Sequence, residues 1–409
     1  METDPQYTSD SFIPIAECSK PTEVSNIKKY DCESFKSKRV SKMSKSPGQF
    51  TMLPWKKKPI YRCGIVGLHQ EINDFFTFMS HTTEEAEVRL KVIEHITRIV
   101  HSLWPQAKVE VFGSFRTGLY LPSSDIDLVV TGEWKCVPLS TLSEALLRNG
   151  IEEDDITIIP HASVPIVKMI HTSSKIRVDI SFNASNGGKS AKFIKNNIKE
   201  YPPLPKLVLV LKQFLIHRGL NEVFTGGMNS YCLTLLVISF LQGFYKPKCY
   251  PSTNLGTMLM EFFEHYGVNF NYERVSIHFD NGGKYLPKNR DSGSYLTVED
   301  PFIAGRDIAK GTYLMHQIKG SFQNAFHTLH RAVIDSMNKN TPAHSYLDLI
   351  LKVDEEVLIN RNWTQENYSF ILRSISRYLR DENELDTTPI SKKEKKRKKS
   401  QNSALDFFR

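Results

Sequence analysis

Asp125, Asp127 and Asp179 are the residues of this sequence best placed to do chemistry together. The first two stand in Ser124-Asp125-Ile126-Asp127-Leu128-Val129-Val130. The two-residue period of a strand puts both acids on one face and Ile126, Leu128 and Val130 on the other. The third stands in Lys175-Ile176-Arg177-Val178-Asp179-Ile180-Ser181-Phe182, a second alternating strand with Arg177, Asp179 and Ser181 on its polar face. If the two strands pair, three carboxylates meet, and two such charges at ~4 Å repel by on the order of 4 kcal/mol at an effective dielectric of about 20. Divalent cations, Mg2+ or Mn2+, remove that repulsion. Magnesium binds through a few carboxylates plus substrate phosphates, so the trio points to two-metal phosphoryl transfer.

Those acids need a frame. Lys108 to Phe112 alternates as a half-buried strand, and Gly113-Ser114 then turns the chain into a short helix. Gly113 lets the backbone approach whatever sits above the strand end, and Ser114 adds a hydroxyl. Upstream, His69 to Met79 and Thr82 to Leu103 have helical periodicity. Thr82 and Glu85 form a capping box, and Trp104-Pro105 ends the second helix. Leu139 to Asn149 reads as a helix closed by Gly150, and Ile156 to Pro160 and Val164 to Met169 read as strands.

Beyond Asn186-Gly187-Gly188 the pattern turns helical: Lys189 to Lys199, Lys206 to Arg218, Tyr231 to Gln242, Leu255 to His265, Asn324 to Met337 and Ser345 to about Leu379. Asn271 to Tyr295, with Asn281-Gly282-Gly283, reads as a hairpin. The expected divisions are a disordered tail over 1–48, leading helices over 49–98 that pack on the central domain, and a catalytic domain over 99–185. A helical central domain with a nucleotide-recognition loop follows over 186–380, then a basic disordered tail over 381–409.

The chain has 409 residues, a net charge of +8, 40% hydrophobic and 11% aromatic residues, which fits a protein with a sizeable core and two folded domains. Cys18, Cys32, Cys63, Cys136, Cys232 and Cys249 show no paired spacing, so neither a zinc knuckle nor a disulfide framework is expected. The acidic start Met1-Glu2-Thr3-Asp4 is unlike a signal peptide, and Tyr231 to Leu241 is too short to span a bilayer, so no membrane association is expected. The run Lys392-Lys393-Glu394-Lys395-Lys396-Arg397-Lys398-Lys399 suits nuclear import or a nucleic-acid contact.

Gly113-Ser114 followed by Asp125-x-Asp127 and a later strand Asp179 resembles the DNA polymerase β nucleotidyltransferase superfamily. Leu119 to Asp127, Val178 to Phe182, Thr225-Gly226-Gly227, Ser230-Tyr231 and Glu299-Asp300-Pro301 together resemble the noncanonical poly(A) polymerases of the TRAMP complex, from about Trp55 to about Leu379. The resemblance implies an α+β fold, a polymerase-β-like palm of mixed sheet and helices joined to a helical central domain, with the site in the cleft between them. It implies that Asp125, Asp127 and Asp179 hold the metals and that the triphosphate lies near Gly113 and Ser114. Lys212 and Ser230 would reach phosphate, Tyr231 would stack on the base, and Asn186 and Gly187 would close over the sugar. Where adenylyl-adding relatives carry Asn and Arg in the recognition loop, this chain has Arg306 and Lys310, so ATP preference rests on overall resemblance. The implied activity is adenylyl transfer from ATP to an RNA 3′ end in the nucleus or nucleolus. The implied partners are a zinc-knuckle RNA-binding protein and an RNA helicase, with a link to the exosome. A terminal uridylyltransferase and a catalytically silent RNA- or partner-binding scaffold are the alternatives.

Overall fold

In a computed structural model, the described residues are 53–379 except 58–59, 162–163, 184–186, 246–253, 280–282, 289–294 and 342. Both expected tails, Asn186 and the hairpin turn Asn281-Gly282 lie outside them. Two helices open this part, α1 (Gly64–Met79) and α2 (Thr83–Leu103). The Thr82 side chain accepts from the Glu85 amide while the Glu85 carboxylate accepts from the Thr82 amide, so the expected capping box forms.

The chain then enters a five-stranded mixed sheet through β1 (Lys108–Phe112), the short helix α3 (Gly113–Thr117) and β2 (Ile126–Thr131). After α4 (Leu139–Arg148) come β3 (Ile156–Ile159), β4 (Ile166–Ile170) and β5 (Arg177–Phe182), in the spatial order β1-β2-β5-β4-β3. Only the β2–β5 pair is parallel. Ile126, Leu128, Val130, Val167, Met169, Val178 and Ile180 face one side and pack into a core with Val92, Ile96 and Ile99 of α2 and Leu142 and Leu146 of α4. The opposite face is left for the acids.

The remaining helices make a second core. They are α5 (Gly187–Glu200), α6 (Leu204–His217), α7 (Ser230–Phe244), α8 (Leu255–Glu264) and, after the strand pairs below, α9 (Met315–Asn338). α6 and α7 are apolar around most of their circumference, so they sit in the middle of this core rather than on its surface. β6 (Val275–His278) pairs antiparallel with β7 (Lys284–Pro287) as the expected hairpin, and β8 (Glu299–Asp300) with β9 (Ile303–Asp307).

Three expectations need correction. α9 begins at Met315, nine residues before Asn324, because Met315, Ile318 and Phe322 extend its apolar stripe into the core. The stretch from Ser345 to Leu379 is not one helix. The buried Glu71 carboxylate accepts from the amides of Tyr346 (2.6 Å) and Leu347 (3.1 Å), from Trp55 Nε1 (3.0 Å) and from the Ser345 hydroxyl. That clamp stops a helix there, and the chain restarts as α10 (Glu355–Glu366) and α11 (Tyr368–Tyr378). The leading helices do not pack on the central core as a block. α1 does, through Leu68, Ile72, Phe75 and Met79, but α2 belongs to the sheet's core, and so do Ile371 and Ile375 of α11.

Candidate active site

Strand register assembles the site. In β2–β5, Asp127 lies directly opposite Asp179; in β4–β5, Asp179 lies opposite Lys168; in β1–β2, Phe112 lies opposite Asp127. Asp125 enters one residue before β2, two positions from Asp127 and on its face. Gly113 has φ +65°, and a Cβ there would sit 2.0 Å from Asp127 Oδ2, so both the backbone and the carboxylate beside it require glycine. Arg89 of α2 is buried, donates to the Pro122 carbonyl at 3.0 Å and lies over the Tyr120 ring, which fixes the turn that delivers Asp125.

The acids are electrostatically frustrated. Burial pushes the Asp127 carboxyl up to about 7, with the charges of Asp179 and Asp125 adding to it and Lys212 and Lys168 opposing it. Burial also raises Asp179 against its bond to Lys168. Asp125 Oδ1 accepts from Arg177 Nε at 2.6 Å, and Arg177 Nη2 donates to the Ser123 carbonyl at 2.6 Å. Asp179 Oδ2 accepts from Lys168 Nζ at 2.6 Å. Among the described residues no three acid, histidine or cysteine side chains are drawn together as a metal-ligating group, and two of the acids are instead paired with cations, Asp179 with Lys168 and Asp125 with Arg177. The donor set itself fits a divalent cation. It is all carboxylate oxygen, with Asp127 held in the sort of site whose ionised form a cation would stabilise.

A cleft of about 1350 Å3 lies over this row, lined by the three acids and by Gly113, Ser114, Gly187, Lys212, Ser230, Tyr231 and Arg306. Gly187 begins α5, pressed so close to Phe112 that a Cβ would come within 2.8 Å of its side chain. Ser230 and Tyr231 begin α7, which Asn229 caps by accepting from the Cys232 amide. Lys212 lies in the cleft wall and is deeply set. It is buried, its ammonium donates to the Leu119 carbonyl at 2.8 Å, and burial lowers it to about 8 against the pull of Asp127. Arg306 faces the cleft 3.8 Å from the buried Asp300, whereas Lys310 is exposed and outside the lining. Asn186 lies outside the described residues.

Sequence reasoning missed Lys168, whose place opposite Asp179 follows from the β4–β5 register and from nothing local. It also passed over Arg177, although strand alternation already puts that side chain on the face of Asp179. The third omission is α10, whose Glu356, Ile359 and Asn360 form a wall of the cleft.

The chain has known relatives. A family profile described as the central palm domain of mitochondrial-like poly(A) RNA polymerase matches residues 68–197, and one described as Cid1 family poly A polymerase matches residues 254–306. The inactive noncanonical poly(A) RNA polymerase protein Trf4-2 of Drosophila melanogaster is 36% identical over 337 residues, 78% of this chain and 82% of that protein. The chain belongs to the noncanonical poly(A) RNA polymerase family. Within the family, poly(A) RNA polymerase CID14 of Cryptococcus neoformans is 41% identical over 275 residues, but this chain spans only 36% of its length. The polymerase core of TRAMP, an RNA surveillance complex, superposes with a TM-score of 0.63 at 34% identity, covering 69% of this chain and 93% of that one. The Cid1 poly(U) polymerase has the same fold, with a TM-score of 0.59 at 20% identity. No helix among the described residues is long and apolar enough to cross a membrane.

Proposed function

We propose that this chain is a template-independent RNA 3′-adenylyltransferase that uses ATP and Mg2+ or Mn2+. On this reading it adds short A tails that mark nuclear RNAs for exosome processing or decay. Family membership alone does not carry activity, since one relative is named inactive. The supporting observation is the acid row: Asp125, Asp127 and Asp179 on one sheet face, beside the Gly113-Ser114 turn, in an open cleft.

The residues divide the work as follows. The Gly113-Ser114 turn and the amino end of α7 at Ser230 offer backbone donors and a positive dipole end to a triphosphate. Tyr231 presents its ring to the base, a contact that holds without reading sequence. Asp179 lies on the β4 side of the row, where its carboxylate would accept the proton given up by the attacking 3′ hydroxyl. Metal ions held by the acids would neutralise the charge that builds on the transferring phosphoryl group. Lys168 and Arg177 keep Asp179 and Asp125 paired until then. A zinc-knuckle RNA-binding protein and an RNA helicase, as in TRAMP, complete the proposed assembly.

The test is extension of a labelled single-stranded RNA with each of ATP, UTP, CTP and GTP, beside the double variant Asp125→Ala, Asp127→Ala. Extension by ATP, abolished in the variant while its circular dichroism is unchanged, supports the reading. Preference for UTP moves the chain to the uridylyl branch. No extension by any nucleotide, together with no metal-dependent nucleotide binding, leaves a silent scaffold and overturns it.

A further inference from the structure

The sheet order divides the floor of the cleft into two sides. On the β1 side of Asp127 lie Gly113, Ser114, Gly187 and, above them, Tyr231. On the β5–β4 side lie Asp179, Arg177 and Lys168. Phosphoryl transfer runs with the attacking and leaving oxygens roughly in line, so a nucleotide on the first side requires the attacking 3′ end to arrive from the second.

The rim on that second side is the segment Glu222 to Gly227. Glu222, Val223 and Phe224 line the cleft together with Lys168, Arg177 and Asp179. The Phe224 ring is 75% exposed. Its backbone is pinned. The Gly227 amide donates to the Glu222 carbonyl at 2.8 Å, the Gly226 amide to Val223 at 2.9 Å, the Leu314 amide to Gly226 at 2.9 Å, and the Tyr313 hydroxyl to the Phe224 carbonyl at 3.2 Å. Gly226 has φ +86°, and a Cβ there would meet the Tyr313 ring at 2.3 Å, so the loop's shape is specified by sequence.

A phenyl ring held in the cleft by a fixed loop offers an aromatic face on which a base can stack. The neighbouring cations choose the chemistry of the occupant. Lys175 and Arg177 line the same side, each with its side chain 55% exposed. An aromatic face beside a short row of cations matches an unpaired base on a phosphate backbone. We propose that Phe224 is the stacking platform for the 3′-terminal base of single-stranded RNA, a positioning residue that brings the 3′ hydroxyl to Asp179. The proposal rests on the adenylyltransferase reading.

The test compares wild type, Phe224→Ala, Phe224→Tyr and Phe224→Leu in steady-state tailing, with RNA and ATP varied separately. Loss of one stacked base corresponds to roughly 5- to 150-fold. Phe224→Ala should raise KM for RNA within that range and leave KM for ATP unchanged, Phe224→Tyr should restore it, and Phe224→Leu should not. With an RNA whose terminal nucleotide is abasic, wild type and Phe224→Ala should be equal. An unchanged KM for RNA in Phe224→Ala, or a penalty that persists with the abasic end, overturns the proposal and leaves the ring as a contact for a protein partner or for the fold. Wild type that neither extends RNA with any nucleotide nor binds nucleotide with metal overturns the function reading and this inference with it.

Discussion

Acid should loosen the joint between the sheet and the carboxy-terminal helix at two buried histidines. His95 of α2 is 2% exposed and His171, after β4, is 1% exposed. His95 Nδ1 and His171 Nε2 are 3.2 Å apart, and His171 Nδ1 is 3.0 Å from the Ser174 hydroxyl. One ring must donate and the other accept, so the pair cannot hold two protonated imidazoles. Tyr378 of α11 stacks on His95 at 4.9 Å. Burial, with the charge of Arg98, lowers His95 to about 4; burial, with His95 and Lys175, lowers His171 to about 3. In the unfolded chain both titrate near the ordinary 6.5. Below that value the unfolded state takes up protons that the folded state refuses, so the stability is present above about 6.5 and drains away as pH falls. Between pH 8 and pH 5 the linkage amounts to about 2 kcal/mol per ring, or about 4 kcal/mol for the pair. A typical domain has only about 5–15 kcal/mol in hand, so the loss is large.

Urea unfolding followed by circular dichroism at pH 8, 7, 6 and 5 reads this directly, with His171→Gln as the comparison. Glu71 and Asp127, whose carboxyls are raised, contribute in the opposite direction, but equally in both proteins. The wild-type curve should therefore fall more steeply than the variant's, by about 2 kcal/mol between pH 8 and pH 5. Parallel curves would refute the reasoning, because they would mean that the buried ring never resists its proton.

Two further outcomes follow from the same physics. Glu71→Ala strips the acceptor from Trp55, Ser345, Tyr346 and Leu347 and should cost about 3 kcal/mol or more, seen as a lower urea midpoint with the helix count otherwise kept. Asp127→Asn removes a buried charge that its neighbours repel, so in chelator it should raise Tm by a few degrees while abolishing tailing. Mg2+ should raise Tm of the wild type and leave the variant where it is; equal responses would contradict the assignment of Asp127 as a metal ligand.

What was legible in the sequence divides along a physical line. Asp125 and Asp127 declare their shared face through a local period of two, and Thr82 and Glu85 declare a helix start through a spacing of three. Such signals need no knowledge of what packs where. Lys168 carries no local sign, because its meaning comes from standing opposite Asp179 across a β4–β5 register that only the folded sheet defines. The broken carboxy-terminal helix is a similar case. Its periodicity from Ser345 onward is real, but Glu71, some 275 residues earlier, captures the amides of Tyr346 and Leu347 and overrides it.

The same reasoning explains why periodicity does not say which core takes α2. An amphipathic stripe states that a helix has a buried face and is silent about the surface that buries it. Here that surface is shared with α11: Ile371 and Ile375 close over the sheet beside Val92 and Ile96. Between them, Arg361 of α10 donates to the Glu85 carboxylate at 2.6 and 2.8 Å and to the Ser80 carbonyl at 2.6 Å. The carboxy-terminal segment thus returns to roof the catalytic sheet, and on its way it supplies the α10 wall of the cleft. The acid row and that wall face one cleft from positions 177 to 235 apart in the sequence.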